Sequence, residues 1–360
     1  MRRAIAVMIL SFAVLLGMQF VVGSCDVADA ATKAQYRWRF SIPWTRPLLQ
    51  KGFEDFAERV NNETGGKIEI KIFPDGLLGN HEESFKGVQA GDIELAMLVP
   101  YVSVVPGGAV NFMPWAVSSY AGFAMAFDTE NGMLHQVLDK AYQEVNMKSL
   151  FTITSGGYCL GNNVREIKSP EDLKNLKFRV SASKAAVEML ANMGRGTGMT
   201  METIPWSELY NALSRKVVDG CWGTIGLVVA ERQYEVLKYY TDLGFMWDAA
   251  QVLINKEVWD DLPDDLKAAV EKAAKEAMAH TLKLQMDAEA SDIEVLRQNG
   301  LIPYVPTPEE KDVFIAASNV KEIWDGEVKP WLDKAYPGEN MSDRLLAELE
   351  RVREITKGLR

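Results

Sequence analysis

The chain has 360 residues, 48% of them hydrophobic and 25% charged, which is typical of a folded globular protein and argues against a disordered one. Its length exceeds the roughly 250–300 residues that one core usually supports, so we expect two domains. The formal net charge of -11 argues against nucleic acid and anionic lipid as partners, because the long-range field repels both.

The first thirty residues have the pattern of a secretory signal peptide. Arg2 and Arg3 precede an apolar run, and Ala28 and Ala30 flank Asp29 in the small-residue arrangement of a cleavage site. We therefore predict residues 1–30 to be a signal peptide that is cleaved after Ala30, which places the mature protein in the periplasm.

Two other interpretations of this segment stay open. The apolar run is almost long enough to span a membrane, so it is also compatible with a retained anchor. The sequence "VGSC" is similar to a lipoprotein box, which would make Cys25 an acylated N-terminus.

Cleavage after Ala30 leaves two cysteines, Cys159 and Cys221. In an oxidising compartment they are able to form a disulfide that closes a long loop. The sequence does not establish the close approach of the two Cα atoms that a bridge requires, and we favour two buried, unpaired thiols.

Strand and helix patterns alternate along the mature chain, which predicts an α/β fold with right-handed crossovers. In the first part we expect strands at "YRWRFSI", "KIEIKIF" and "IELAMLV", and helices over 46–62 and 81–89. In the second part we expect helices over 183–193 and 205–216 and strands at "MTMETI" and "VVDGCWG". A long helix from Pro263 to about Gln298 is expected to brace more than one domain.

The sequence contains no recognisable catalytic or metal-binding constellation. His81, His135 and His280 are isolated and lack the spacing of zinc ligands. Nucleophile-elbow, phosphate-loop and dinucleotide-binding patterns are missing too. We therefore predict neither an enzyme nor a cofactor or metal site; a secreted enzyme acting on an organic acid is the less favoured alternative.

The strand at "NLKFRVSASK" carries an arginine in its middle. Leu176, Phe178 and Val180 alternate with polar residues, as in a half-buried strand. Arg179 therefore either lies on the solvent-exposed face or lines a cleft where it waits for an anion. Periodicity alone does not decide between these positions.

Tryptophans are frequent, nine in all, and several follow strands or lie near glycine and proline. Such positions suit either core packing or a flat-walled pocket.

Four segments resemble the DctP-type solute-binding proteins of tripartite ATP-independent periplasmic (TRAP) transporters and follow the order of that family, and the similarity extends over nearly the whole mature chain. These are "FPDGLLGNHEESFKGVQAGDIELAM", "EIKSPEDLKNLKFRV", "METIPWSELYNALSRKVVDG" and "NKEVWDDLPDDLKAAVEKAA". The resemblance implies a two-domain periplasmic binding protein fold with a hinge, an interdomain cleft and a long bracing helix. It also implies a receptor that hands an organic anion to membrane permease subunits; a receptor for a membrane sensor protein is the alternative.

From this resemblance we expect domain I at 34–154 plus 245–285 and domain II at 155–244 plus 286–360. The resemblance makes Arg179 the group that binds the ligand carboxylate. It places Trp206 as an aromatic wall, and it places Trp44 and Tyr101 in loops that face the cleft from the first domain. A monomer is favoured.

The chain departs from the family pattern in ways that predict its ligand. Trp222 and Gly223 replace a polar pair, and Tyr158 stands near the position of a second arginine that is missing. The expected site has one anion-binding residue, Arg179, surrounded by aromatic rings. We therefore predict a monoanion with an apolar or aromatic body, either a carboxylate or a small sulfonate.

Overall fold

The computed structural model describes residues 34–43, 47–100, 104–180 and 184–359. Its strands are β1 (Tyr36–Ser41), β2 (Ile68–Phe73), β3 (Leu95–Leu98), β4 (Met147–Gly157), β5 (Cys159–Asn162), β6 (Lys177–Val180), β7 (Thr200–Thr203), β8 (Gly220–Gly223), β9 (Tyr239–Thr241), β10 (Trp247–Asn255) and β11 (Pro303–Tyr304). Within these ranges, no helix combines the length and apolar character needed to cross a bilayer.

The helices are α1 (Pro47–Glu63), α2 (His81–Ala90), α3 (Tyr120–Ala126), α4 (Met133–Gln143), α5 (Lys184–Met193), α6 (Leu209–Ser214), α7 (Ile225–Ala230), α8 (Lys256–Asp260), α9 (Asp264–Gln298), α10 (Pro308–Ser318), α11 (Val320–Ile323), α12 (Lys329–Ala335) and α13 (Met341–Ile355). Short 3₁₀ turns lie at Gly108–Phe112, Pro170–Leu173, Trp206–Glu208 and Gln233–Glu235, and a π turn joins α11 to α12 at Trp324–Val328.

The strands form two mixed sheets, as the two-domain α/β prediction requires. The first has the order β2-β1-β3-β10-β4 and the second the order β11-β9-β5-β8-β6-β7. In each sheet three strands run parallel, β2-β1-β3 in the first and β8-β6-β7 in the second. The antiparallel pairing of β10 with β3 and β4 was not foreseen, because the apolar run of β3 suits either partner direction.

Two of the chain's crossings between the sheets lie next to each other, and α9 makes a third on its way from β10 to β11. β4 of the first sheet continues through Gly157 and Tyr158 into β5 of the second, and β9 returns through residues 242–246 to β10. The crossings are bonded to each other, since the Tyr158 amide donates to the Met246 carbonyl at 2.7 Å and the Phe245 amide donates to the Tyr158 carbonyl at 3.2 Å. These paired crossings are the hinge of the fold.

Helix α9 braces both sheets, as its length predicted. Its first half packs on α1 and β4, where Val270 and Ala273 are fully buried in the large apolar core. Its last turns place Ile293 and Leu296 in a smaller core beneath the second sheet, next to α7. The helix therefore ties the two cores together across about 50 Å, at 1.5 Å per residue.

The C-terminal helices contact both parts of the molecule. Helices α10 and α11 pack on α5, whereas α13 packs on α3 and α4. The domain boundaries given above stay a prediction.

Cys159 and Cys221 are both buried and both free thiols. They lie on neighbouring antiparallel strands, but Cys159 pairs with Gly223 and Cys221 with Gly161, so the cysteines are diagonal to each other. Diagonal neighbours are roughly 7–8 Å apart, beyond the Cβ separation of a disulfide, which is about 4 Å. Burial raises the pKa of Cys221 to about 12 and that of Cys159 well above its usual range.

Asn255 connects three elements at the end of β10. Its side chain caps α8 by accepting from the Val258 amide at 3.0 Å, and it donates to the Val88 carbonyl at the end of α2 at 2.8 Å. The residue is 1% exposed, so water does not replace these bonds when the side chain is removed.

We expect Asn255→Ala to lower the free energy of unfolding by about 2 kcal/mol, the sum of a lost helix cap and a lost buried hydrogen bond to the Val88 carbonyl, which keeps its bond from the Gly91 amide. Urea unfolding followed by circular dichroism measures the change. Asn299→Ala, at an exposed helix end, is the matched control, and its effect should stay below about 0.5 kcal/mol. Equal losses in both variants would contradict this role of Asn255.

We expect the two buried thiols to be inert towards Ellman's reagent in the native protein at pH 8, because the reactive thiolate is suppressed. A protein lacking residues 1–30 should release two thiol equivalents in guanidinium and almost none before unfolding. Rapid native reaction would contradict the burial, and zero equivalents after unfolding would show a disulfide.

Candidate ligand-binding site

Arg179 lies in the interior, so the solvent-exposed alternative is wrong. Its neighbours Phe178 and Val180 pack towards α5 in the large core, while the Arg179 side chain leaves the opposite face of β6 and is only 4% exposed. The alternation along β6 is real, but both faces of the strand are covered.

The Arg179 guanidinium is held by a carbonyl and a ring. Its Nε donates to the Ile204 carbonyl at 2.8 Å, and its Cζ lies 5.5 Å from the centre of the Trp206 ring. Both partners come from the segment that follows β7, the strand next to β6. Because parallel strands end at the same edge of a sheet, the turn after β7 reaches the arginine of β6.

Among the described residues, no carboxylate forms an ion pair with Arg179. Burial lowers the pKa of Arg179, while the nearby Cys221 and Tyr158 side chains act in the opposite direction. The guanidinium nevertheless stays charged at neutral pH. A buried cation whose partners among the described residues are a neutral carbonyl and a ring retains donors suited to a planar anion.

Trp206 is half-buried and covers Gly223 as well as the guanidinium. A side chain at Gly223 would come within 3.9 Å of the Trp206 ring. Position 223 itself therefore contributes no side chain beside the arginine, and the Trp206 ring lies there.

Trp222 and Tyr158 are the other two predicted site residues that the structure describes, and both contact Phe245 of the hinge. The ring of Trp222 meets that of Phe245 edge-on at 6.2 Å, and the ring of Tyr158 lies 6.3 Å from it. Trp222 is 2% exposed and Tyr158 is half-buried. The structure thus brings Arg179, Trp206, Trp222 and Tyr158 to one region; their ligand-binding role stays a prediction.

Trp44 and Tyr101 lie outside the described residues. The described residues next to them form the carboxyl ends of the parallel strands of the first sheet. At this edge Ser41, which is fully buried, shares a hydrogen bond of 2.8 Å with Ser84.

His81 is a candidate that sequence reasoning treated as isolated. It begins α2, and its Nε2 accepts from the Val99 amide at 3.1 Å, just after β3. Burial lowers the pKa of His81, and the accepted bond assigns the remaining ring proton to Nδ1. The signal that points to it is its hydrogen bond from Val99, two residues before Tyr101 in the sequence, which only the fold makes visible.

Comparison with known proteins assigns this arrangement to a family. Residues 45–327 match the profile of bacterial extracellular solute-binding protein family 7, DctP. A solute-binding protein of Verminephrobacter eiseniae is 27% identical over 276 residues, which cover 76% of this chain and 80% of that protein.

Solved structures have the same fold. A TRAP periplasmic solute-binding protein from Ochrobactrum anthropi superimposes with a TM-score of 0.79 at 27% identity, over 90% of this chain and 97% of that one. One from Desulfovibrio salexigens, with bound orotic acid, gives a TM-score of 0.72 at 23% identity, over 88% and 99%. The chain is therefore a binding protein and not an enzyme, and it belongs to the DctP-type solute-binding proteins of TRAP transporters.

Proposed function

We propose that this protein captures an organic monoanion with an apolar or aromatic body in the periplasm and delivers it to TRAP permease subunits. The observation that carries the proposal is the buried Arg179, which has no carboxylate partner among the described residues and is pre-positioned by Ile204 and Trp206. Export follows from cleavage after Ala30, and we propose that the mature protein acts as a monomer.

The ligand supplies the charge that Arg179 lacks. A carboxylate or sulfonate pairs with a guanidinium through two parallel hydrogen bonds, each worth roughly 1.5–3 kcal/mol when charged groups are involved. The ring of Trp206 already lies along the guanidinium and offers its edge to the body of the ligand. Tyr158 stands near the position where a second arginine would pair with a second negative charge on the ligand. The absence of an arginine at that position favours a monoanion.

Capture is proposed to proceed by closure about the paired crossings. A ligand that contacts both lobes stabilises the closed form, and a shift from mostly open to mostly closed requires differential affinity of about 5.5 kcal/mol. Arg179, Trp206, Trp222 and Tyr158 would act from one lobe, and Trp44, Tyr101 and His81 from the other. An orotic-acid complex of a protein with the same fold supports an aromatic carboxylate as one member of the ligand class.

A thermal-shift panel tests the ligand class. We expect benzoate, orotate or benzenesulfonate to raise the melting temperature, because a ligand at about 100 times its dissociation constant stabilises the native state by about 2.7 kcal/mol. Benzamide, which has the ring without the charge, and succinate, with two charges, should give smaller shifts. A larger shift with succinate would contradict the monoanion proposal.

Substitution of Arg179 tests the clamp. Arg179→Lys and Arg179→Met should weaken binding of the best panel ligand at least about tenfold, as measured by calorimetry, because lysine lacks the bidentate fork. The ligand-free Arg179→Met protein should be more stable by up to about 1 kcal/mol, since a buried unpaired charge is removed. Arg195→Lys, at an exposed arginine, is the control. Unchanged affinity in the Arg179 variants would overturn the clamp.

A further inference from the structure

A cavity of about 360 Å³ lies beside the two chain crossings, and we call it the hinge cavity. Buried residues at its floor include Tyr120, Trp247 and Glu289, and exposed residues of α10 and of the segment 353–359 form its rim. Arg179 does not line it. Its volume falls within the range of about 300–1,000 Å³ that small-molecule sites occupy.

The carboxylates on the wall of the hinge cavity are largely satisfied. Three of them accept from protein donors: Glu289 from the Tyr120 hydroxyl (2.6 Å), Asp242 from the Cys159 thiol (3.2 Å) and Asp312 from Lys357 (3.4 Å). The fourth, Glu354, is exposed at the rim, where water solvates it.

Two cations on the same wall lack such partners. Lys311 of α10 and Arg353 of α13 are half-buried, and neither pairs with a carboxylate within the described ranges. The one hydrogen bond that Arg353 makes there is a long one, 3.4 Å, to the Trp115 carbonyl. A negatively charged group bound between α10 and α13 would therefore stabilise these two cations.

An indole N–H at the floor also lacks a partner. Trp247 is 7% exposed, and its Nε1 finds no acceptor in the part of the chain that the structure describes. Two glycines that line the cavity lie close to this nitrogen. A Cβ atom added at Gly157 would lie 3.4 Å from Trp247 Nε1, and one added at Gly244 would lie 3.9 Å from it. A buried N–H without an acceptor is costly, so an occupant that offers an oxygen is stabilised there.

We propose that the hinge cavity is a second binding site, for a small aromatic organic anion. Its charged group pairs with Arg353 and Lys311 near the rim, and its ring lies against Trp115 and Tyr120. An oxygen of the same molecule accepts from Trp247 Nε1. The site is distinct from the one around Arg179 and stands or falls independently of it.

Fluorescence titration with 7-methoxycoumarin-4-acetate, an aromatic monoanion whose ring carbonyl is an acceptor remote from its carboxylate, tests the proposal in an Arg179→Met background, which removes the other anion-binding arginine. We expect saturable binding that Arg353→Gln and Lys311→Gln each weaken about threefold to tenfold, the range for partly exposed charged contacts. Lys357→Gln removes the same charge from the same rim, but its lysine already pairs with Asp312, so it should change affinity less than about twofold.

A second readout locates the probe. Binding should shift the indole N–H resonance of Trp247, identified by its absence from spectra of Trp247→Phe, as the proton gains an acceptor. Lack of saturable binding would overturn the proposal. So would equal effects of Lys357→Gln and Arg353→Gln, or an indole resonance that does not move.

Discussion

The candidate site depends on one buried guanidinium, that of Arg179, which has no carboxylate partner in the part of the chain that the structure describes. Transfer of a cation into a protein interior is unfavourable unless other groups compensate. At Arg179 the compensation is partial, one carbonyl and one ring. Within the described residues the charge of Arg179 thus has no negative counterpart, and the proposal of an anionic ligand rests on this property.

Positioning of that guanidinium follows from sheet topology. β6, β7 and β8 run parallel, so the turn after β7 and the end of β8 meet beside Arg179. The turn provides the Ile204 carbonyl and the Trp206 ring, and β8 ends in Gly223, which lies next to that ring. A planar group fixed on two sides loses less freedom when it binds than a mobile one, so the affinity gained per hydrogen bond is greater.

The hinge explains how the two sheets remain one working unit. Two crossings bonded to each other allow rotation but oppose separation, while α9 is anchored in both cores. Phe245, on one crossing, contacts Trp222 and Tyr158, so these aromatic groups are packed against the crossings about which we propose that the lobes close. The hinge cavity lies beside the same crossings, which puts both candidate sites next to the movable element.

The sequence by itself determined the α/β class, most elements of the two parallel strand sets and the length of α9, because these depend on local periodicity and on end signals such as Pro263. It also singled out Arg179 through the family resemblance. Only the tertiary structure decided that Arg179 is buried and that β10 runs antiparallel between β3 and β4. It also decided that Cys159 and Cys221 lie diagonally on neighbouring strands, too far apart for a disulfide. The part played by His81 and the hinge cavity likewise came from the fold. These features depend on contacts between residues far apart in the chain, which a pattern of period two or 3.6 does not encode.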